Sequence, residues 1–173
     1  GAYPFTTLTP SLGVVQTEWA EPFVVADIPG LIEGVHQGAG LGIQFLRHIE
    51  RTRILIHLID VSDVDPDNPL ATYECINNEL SQYSEKLTDE PQIVVLNKLD
   101  VDGADELAKI FRAALKKHPV FRRHPVCLSI SAISREGIED LKSEIIQLLD
   151  KLDEKQQKNV LQGRKKGRRK GGK

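Results

Sequence analysis

A chain of 173 residues, 40% apolar and 28% charged, is long enough to bury a real core and has the composition of an ordinary soluble globular domain. No run approaches the ~20 apolar residues of a membrane span, and the N-terminus carries no secretory pattern. Cys75 and Cys127 fit no metal-ligand spacing, so reduced thiols in a cytoplasmic, monomeric protein are expected and zinc or disulfide chemistry is not.

The net charge of −2 conceals an asymmetry. Seven of the 23 basic residues lie in 163–173, which has no acidic residue. Residues 1–162 are left with 16 basic against 25 acidic side chains, a net of −9. An acidic body with a basic tail is a two-part object. The chain contains no methionine, which suggests that it begins partway into something.

In chain order, residues 1–10 form a loop rich in hydroxyls and proline, followed by a strand over Leu12–Thr17. Glu18–Pro22 connects it, hairpin-fashion, to an apolar run, Phe23–Ala26, that reads as a buried strand ending on Asp27. Pro29-Gly30 then opens a glycine-rich loop to Gly42, the kind of segment that carries ligand contacts at the end of a strand. A helix is expected over Ile43–Arg51, with Phe45, Leu46 and Ile49 on one face. Arg53–Asp60 is nearly all apolar and reads as a strand covered on both faces. A helix over Pro69–Tyr83, a strand over Ile93–Leu96, a helix over Ala104–Lys117, a strand over Val126–Ile130 and an amphipathic helix over Gly137–Leu152 follow. Alternation of strands and helices predicts an α/β protein, a mostly parallel sheet with helices on both faces. Beyond Leu152 the apolar period stops, and residues 153–173 are expected to be a disordered basic tail.

Polar clusters sit at strand ends or in adjoining loops: Thr6-Thr7, Asp27 to Gly30, Asn97-Lys98-Leu99-Asp100 and Ser131-Ala132-Ile133. In a parallel sheet the C-terminal strand ends share one edge, where ligands bind. A carboxylate such as Asp100 can accept two parallel hydrogen bonds from the N–H/NH2 edge of guanine, an edge adenine lacks. The Lys98 stem can lie along the base, and backbone N–H groups at Ser131-Ala132 can meet the guanine carbonyl. His57, inside an apolar strand, reads as a core histidine. Asp60 reads as a cap, the charges of 63–67 and 85–90 as solvated loops, and His36 has nothing nearby to activate it.

These motifs in this order resemble the Obg family of translation-factor-related GTPases, over Tyr3 to about Leu152. Phe5, Thr6, Thr7, Leu8 and Thr9 resemble its first switch, and Asp27, Ile28, Pro29 and Gly30 with the glycine loop its second. Asn97 to Asp100 and Ser131 to Ile133 resemble its guanine-reading motifs. The resemblance implies a P-loop NTPase-type fold, with GTP or GDP as ligand. Thr7 and Asp27 would be on Mg2+, the Gly30 N–H on the γ-phosphate, and Asn97 and Asp100 on guanine. It also implies action on the large ribosomal subunit during its assembly. The basic residues Arg164, Lys165, Lys166, Arg168, Arg169 and Lys170 fit a phosphate-binding arm on ribosomal RNA. The competing reading is a non-catalytic module that keeps the GTPase shape and binds RNA through that tail. Leu31 stands where small GTPases carry a water-orienting Gln, so intrinsic hydrolysis should be slow.

No G-x-x-x-x-G-K-[ST] occurs among the 173 residues. The resemblance therefore implies a GTPase domain, 1–152, lacking its first strand, phosphate loop and first helix. The Phe23 and Arg53 half-sheets should then either meet directly or leave a gap with unpaired backbone groups, and in both cases stability should be low. Without the lysine and hydroxyl of that loop, the expected outcome of titrating GTP–Mg2+ into the chain by calorimetry is affinity weaker than micromolar and no turnover. Micromolar or tighter binding contradicts it.

Overall fold

The computed structural model describes residues 11–27 and 51–170. The first switch, most of the second and the helix expected over Ile43–Arg51 lie outside the described residues, apart from Asp27 and Arg51.

Two separate sheets form. Strands β1 (Leu12–Val15) and β2 (Phe23–Ala26) make an antiparallel hairpin, with Val14 opposite Val24. Strands β3 (Leu55–Asp60), β4 (Gln92–Asn97) and β5 (Val126–Ser129) make a parallel sheet in the order β3-β4-β5. Helices α1 (Ala71–Tyr83) and α2 (Glu85–Asp89) join β3 to β4, α3 (Ala104–Leu115) joins β4 to β5, and α4 (Ile138–Lys170) closes the chain. Crossovers of this kind require the parallel arrangement.

The core lies on both faces of β4. Val94 and Leu96 point into a cluster with Tyr73 from α1 and with Ala108, Phe111 and Leu115 from α3. Ile93 and Val95 point the other way, into a cluster with Ile130 and Ile145, against which Phe23, Leu141 and Leu148 pack. The α/β sheet with helices on both faces is thus present, and of the two arrangements expected for the half-sheets the described residues show them unjoined.

Four expectations need correction. β3 is not covered on both faces. Leu55, His57 and Ile59 on one face are buried while Ile56 and Leu58 (54%) on the other stay exposed, and among the described residues β3 pairs only with β4. β2 is likewise not a buried strand: none of its residues is buried, Val24 is 64% exposed, and among the described residues it pairs only with β1. The tail does not lose its backbone order at Leu152, since α4 runs on to Lys170. Its Lys, Gln, Glu and Arg content favours helix, and Arg53 pairs with Asp153 at 2.6 Å just past the expected end. Packing does stop there: Leu152 is half-buried and every residue from Asp153 to Leu161 is exposed. Residues 85–90, read as a solvated loop, include α2, which the single buried side chain of Leu87 anchors. Among the described residues no helix is long and apolar enough to cross a membrane.

His57 is a core residue, as its setting in the sequence suggested. It is 5% exposed and stacks on Tyr73 with ring centroids 4.9 Å apart. Neither ring nitrogen has a hydrogen bond of normal geometry. Burial pushes its pKa from 6.5 down to about 4, and the nearby Gln92 amide offsets only part of that. The folded state therefore refuses a proton that the unfolded chain accepts, so stability present above pH 6.5 is lost as pH falls toward about 4. Between pH 7 and about pH 4.5 this one group should cost roughly 2–3 kcal/mol. His57→Leu should lose that much less over the same range, as urea unfolding at the two pH values will show.

Candidate functional site

The site is built where β4 and β5 end. β4 delivers Asn97, and the chain turns at Lys98, which adopts a left-handed conformation with φ of 69°. The turn is held from below: the Leu99 N–H donates to the Ile130 carbonyl at 3.2 Å, and the Leu99 side chain packs on the α1–α3 side of the core. Opposite it, β5 is prolonged by the Ile130 N–H donating to the Leu96 carbonyl at 2.8 Å, which brings Ser131 level with Asp100.

Ser131 is fully buried and donates its hydroxyl to Asp100 Oδ1 at 2.5 Å. The same hydroxyl accepts from the Ser134 N–H at 3.2 Å, so one side chain fixes both the carboxylate and its own loop. The Ala132 N–H donates to Asn97 Oδ1 at 3.0 Å. Ser131 and Glu136 form an antiparallel bridge that closes the loop, the Ser131 N–H donating to the Glu136 carbonyl at 3.0 Å. Gly137, with φ of +74°, lets helix α4 begin directly beneath. A Cβ there would sit 2.5 Å from the Ser129 carbonyl oxygen.

The structure thus brings Asn97, Asp100, Ser131 and Ala132 into one hydrogen-bonded unit, with Lys98 at its edge. Ile133 takes no part in the unit and is 84% exposed. The backbone donors of Ser131 and Ala132 are engaged within the protein, so Ala132 must share its N–H with Asn97 or release it to meet a base carbonyl. Asp27, exposed, ends the hairpin, its N–H donating to the Ser11 carbonyl at 2.9 Å. Its carboxylate is a suitable hard-oxygen donor for Mg2+, which keeps most of its own waters. Phe5, Thr6, Thr7, Leu8, Thr9, Ile28, Pro29 and Gly30 lie outside the described residues.

Sequence reading missed one contact. Asp60, opposite Asn97 in the β3–β4 register, pairs through Oδ2 with the Lys98 ammonium. Its Oδ1 accepts from the Ser62 N–H at 3.0 Å and hydroxyl at 2.7 Å, capping the 3-10 turn Val61–Asp63, as its reading as a cap anticipated. Lys98, ahead of the Ser62 bonds, holds the Asp60 carboxyl below the usual carboxylate range, and Asp60 in turn raises Lys98. The one signal in the sequence was that both strands end on a polar residue.

A parallel α/β sheet whose strand tips carry an N-K-x-D turn against an S-A loop defines a GTPase fold. The family described as 50S ribosome-binding GTPase matches residues 1–98, and the chain belongs to it. It is similar to GTPase Obg of Desulfosudis oleivorans, at 56% identity over 86% of this chain and 43% of that protein. It is also similar to GTPase Obg of Bacillus velezensis, at 50% identity over 86% of this chain and 33% of that protein. The chain therefore spans less than half the length of these relatives. Among solved structures it is similar to Era in complex with MgGDPNP and a stretch of 16S ribosomal RNA. There the TM-score is 0.58 and the identity 24%, over 83% of this chain and 45% of that one, a likeness of fold.

Proposed function

We propose that these residues form the guanine-reading part of an Obg-type, Mg2+-dependent GTPase that binds ribosomal RNA and acts in large-subunit assembly in the cytoplasm. The observation that carries the reading is the Asn97–Asp100 turn locked to Ser131 and Ala132 by the 2.5 and 3.0 Å hydrogen bonds. A carboxylate offers about four acceptor positions, so Asp100 can keep the Ser131 bond and still receive the two N–H donors of guanine. Asn97 lies beside Ala132 and exchanges its partner when a base carbonyl arrives. Asp27, with Thr7, would hold Mg2+, which when bound neutralises charge on the β- and γ-phosphates.

The basic end of α4 supports an RNA partner, as does the family's 50S description. The Era structure with 16S RNA is a precedent in the same fold.

Base selection is tested by Asp100→Asn, which replaces an acceptor by a donor facing the guanine N–H groups. Guanosine binding, followed by amide NMR shifts at residues 97–100, should weaken roughly tenfold or more, because a donor then faces a donor. Xanthosine, with a carbonyl in place of the amino group, should gain relative to guanosine. Unchanged guanosine affinity contradicts the reading.

The RNA arm is tested by filter binding to ribosomal RNA across a salt series. Removing residues 163–173 should flatten the slope of log affinity against log salt by several units, each phosphate contact contributing ~0.7–0.9. An unchanged slope removes the tail from the interaction.

A further inference from the structure

We infer that Asp60 is a positioning residue for the guanine pocket: its carboxylate fixes Lys98 so that the lysine stem lies along the strand tips as a ledge for the base. The inference rests on the guanine reading above and deepens it.

The recognition turn is tied down unequally. On the β5 side three hydrogen bonds hold it: the Leu99 N–H donates to the Ile130 carbonyl, and Asn97 and Asp100 accept from the Ala132 N–H and the Ser131 hydroxyl. On the β3 side the Asp60–Lys98 ion pair is the tie among the described residues. Register places Asp60 directly opposite Asn97, so the lysine stem must run across the tips from β4 toward β3, away from Ser131. The ammonium is thereby held at Asp60 while the side chain stays half exposed at the strand tips, where a base could lie against it. A lysine left free carries much rotamer entropy, and ordering it in advance lowers what a bound base must order.

Asp60 is itself held before it holds anything else. Oδ1 is anchored by the Ser62 backbone and hydroxyl, which leaves Oδ2 aimed at Lys98. Asp63 and Asp100 add to the negative field around the ammonium without replacing this contact. The leftward φ of Lys98 points its side chain out of the β4 line, which makes the pairing possible.

Guanosine, which carries no charge, is the probe, read by amide shifts at residues 97–100 and 132 in the full chain. Asp60→Asn keeps an oxygen for Ser62 and puts an amide N–H2 against the lysine. It should weaken guanosine about three- to tenfold with the melting temperature little changed. Lys98→Met keeps the stem and removes the charge, and the double variant should be no weaker than either single one. In the unaltered chain, raising salt from about 0.05 to about 0.5 M should weaken guanosine severalfold, and Lys98→Met should abolish that dependence. This arm needs no Asp60 variant and serves should Asp60→Asn fail to fold. If guanosine binds but is indifferent to Asp60→Asn and to salt, or if the single losses add, the positioning role is overturned and the pocket stands. If the unaltered chain shows no guanosine-dependent shifts at these residues, the pocket reading falls and takes this inference with it.

Discussion

The arrangement depends on β4 being buried on both faces. Ile93, Val94, Val95 and Leu96 alternate between two apolar clusters and none is accessible to water. A slip of one residue would exchange the two sets of side chains and expose each to the wrong cavity, so register is fixed by packing and not by the loops. The height of Asn97 relative to Asp60 on one side and Ser131 on the other is set in the same way. The left-handed turn at Lys98 costs ~1–2 kcal/mol locally, which the Leu99 bond to Ile130 and the Ser131 bond to Asp100 offset.

What could be read in advance follows from that constraint. The four-residue apolar run Ile93–Leu96 and the Leu107, Ile110, Phe111 and Leu115 spacing carry their own periods, so β4 and α3 were legible to within one or two residues. Asn97, Asp100 and Ser131 were legible because their donor and acceptor chemistry has few other uses in that order. The Asp60–Lys98 pair was not, because hydrophobic pattern reports which face a residue takes and says nothing about which residue stands opposite it in another strand. β3 misled for a related reason. Val, Ile and Leu runs mark strands covered on both sides, yet coverage is a property of neighbours, and β3 is an edge in its sheet. α2 was invisible because five residues with one buried leucine have no period to detect.

The charge asymmetry gains geometric meaning from α4. At 1.5 Å per residue, a helix continuing from Leu152 to Lys170 carries its basic end roughly 27 Å from the last packed turn. That exceeds the ~8–10 Å over which charges feel one another at physiological salt. A flexible chain of the same composition would fold back on the acidic surface for part of the time. From Asp153 to Leu161 every residue is exposed, so the helix past Leu152 runs on without burial against the body over that stretch.

Base recognition and the cation-side carboxylate belong to different sheets. Asn97, Lys98, Asp100 and Ser131 are held by the parallel sheet and its two clusters. Asp27 belongs to a hairpin tied to that core through Phe23 and to itself through the Ser11 bond. The first unit is rigid because every strand-end residue is fixed by packing below and hydrogen bonds above. The second exposes Leu12, Val14 and Val24 and has far less apolar burial opposing local opening. The hydrogen-bonded unit of Asn97, Asp100 and Ser131 accordingly belongs to the better-packed part of the molecule, and Asp27 to the part with less apolar burial. Under the proposed function this division has a physical logic, since a base reader that moved with the phosphate-sensing segments would lose its grip on the nucleotide whenever they changed state.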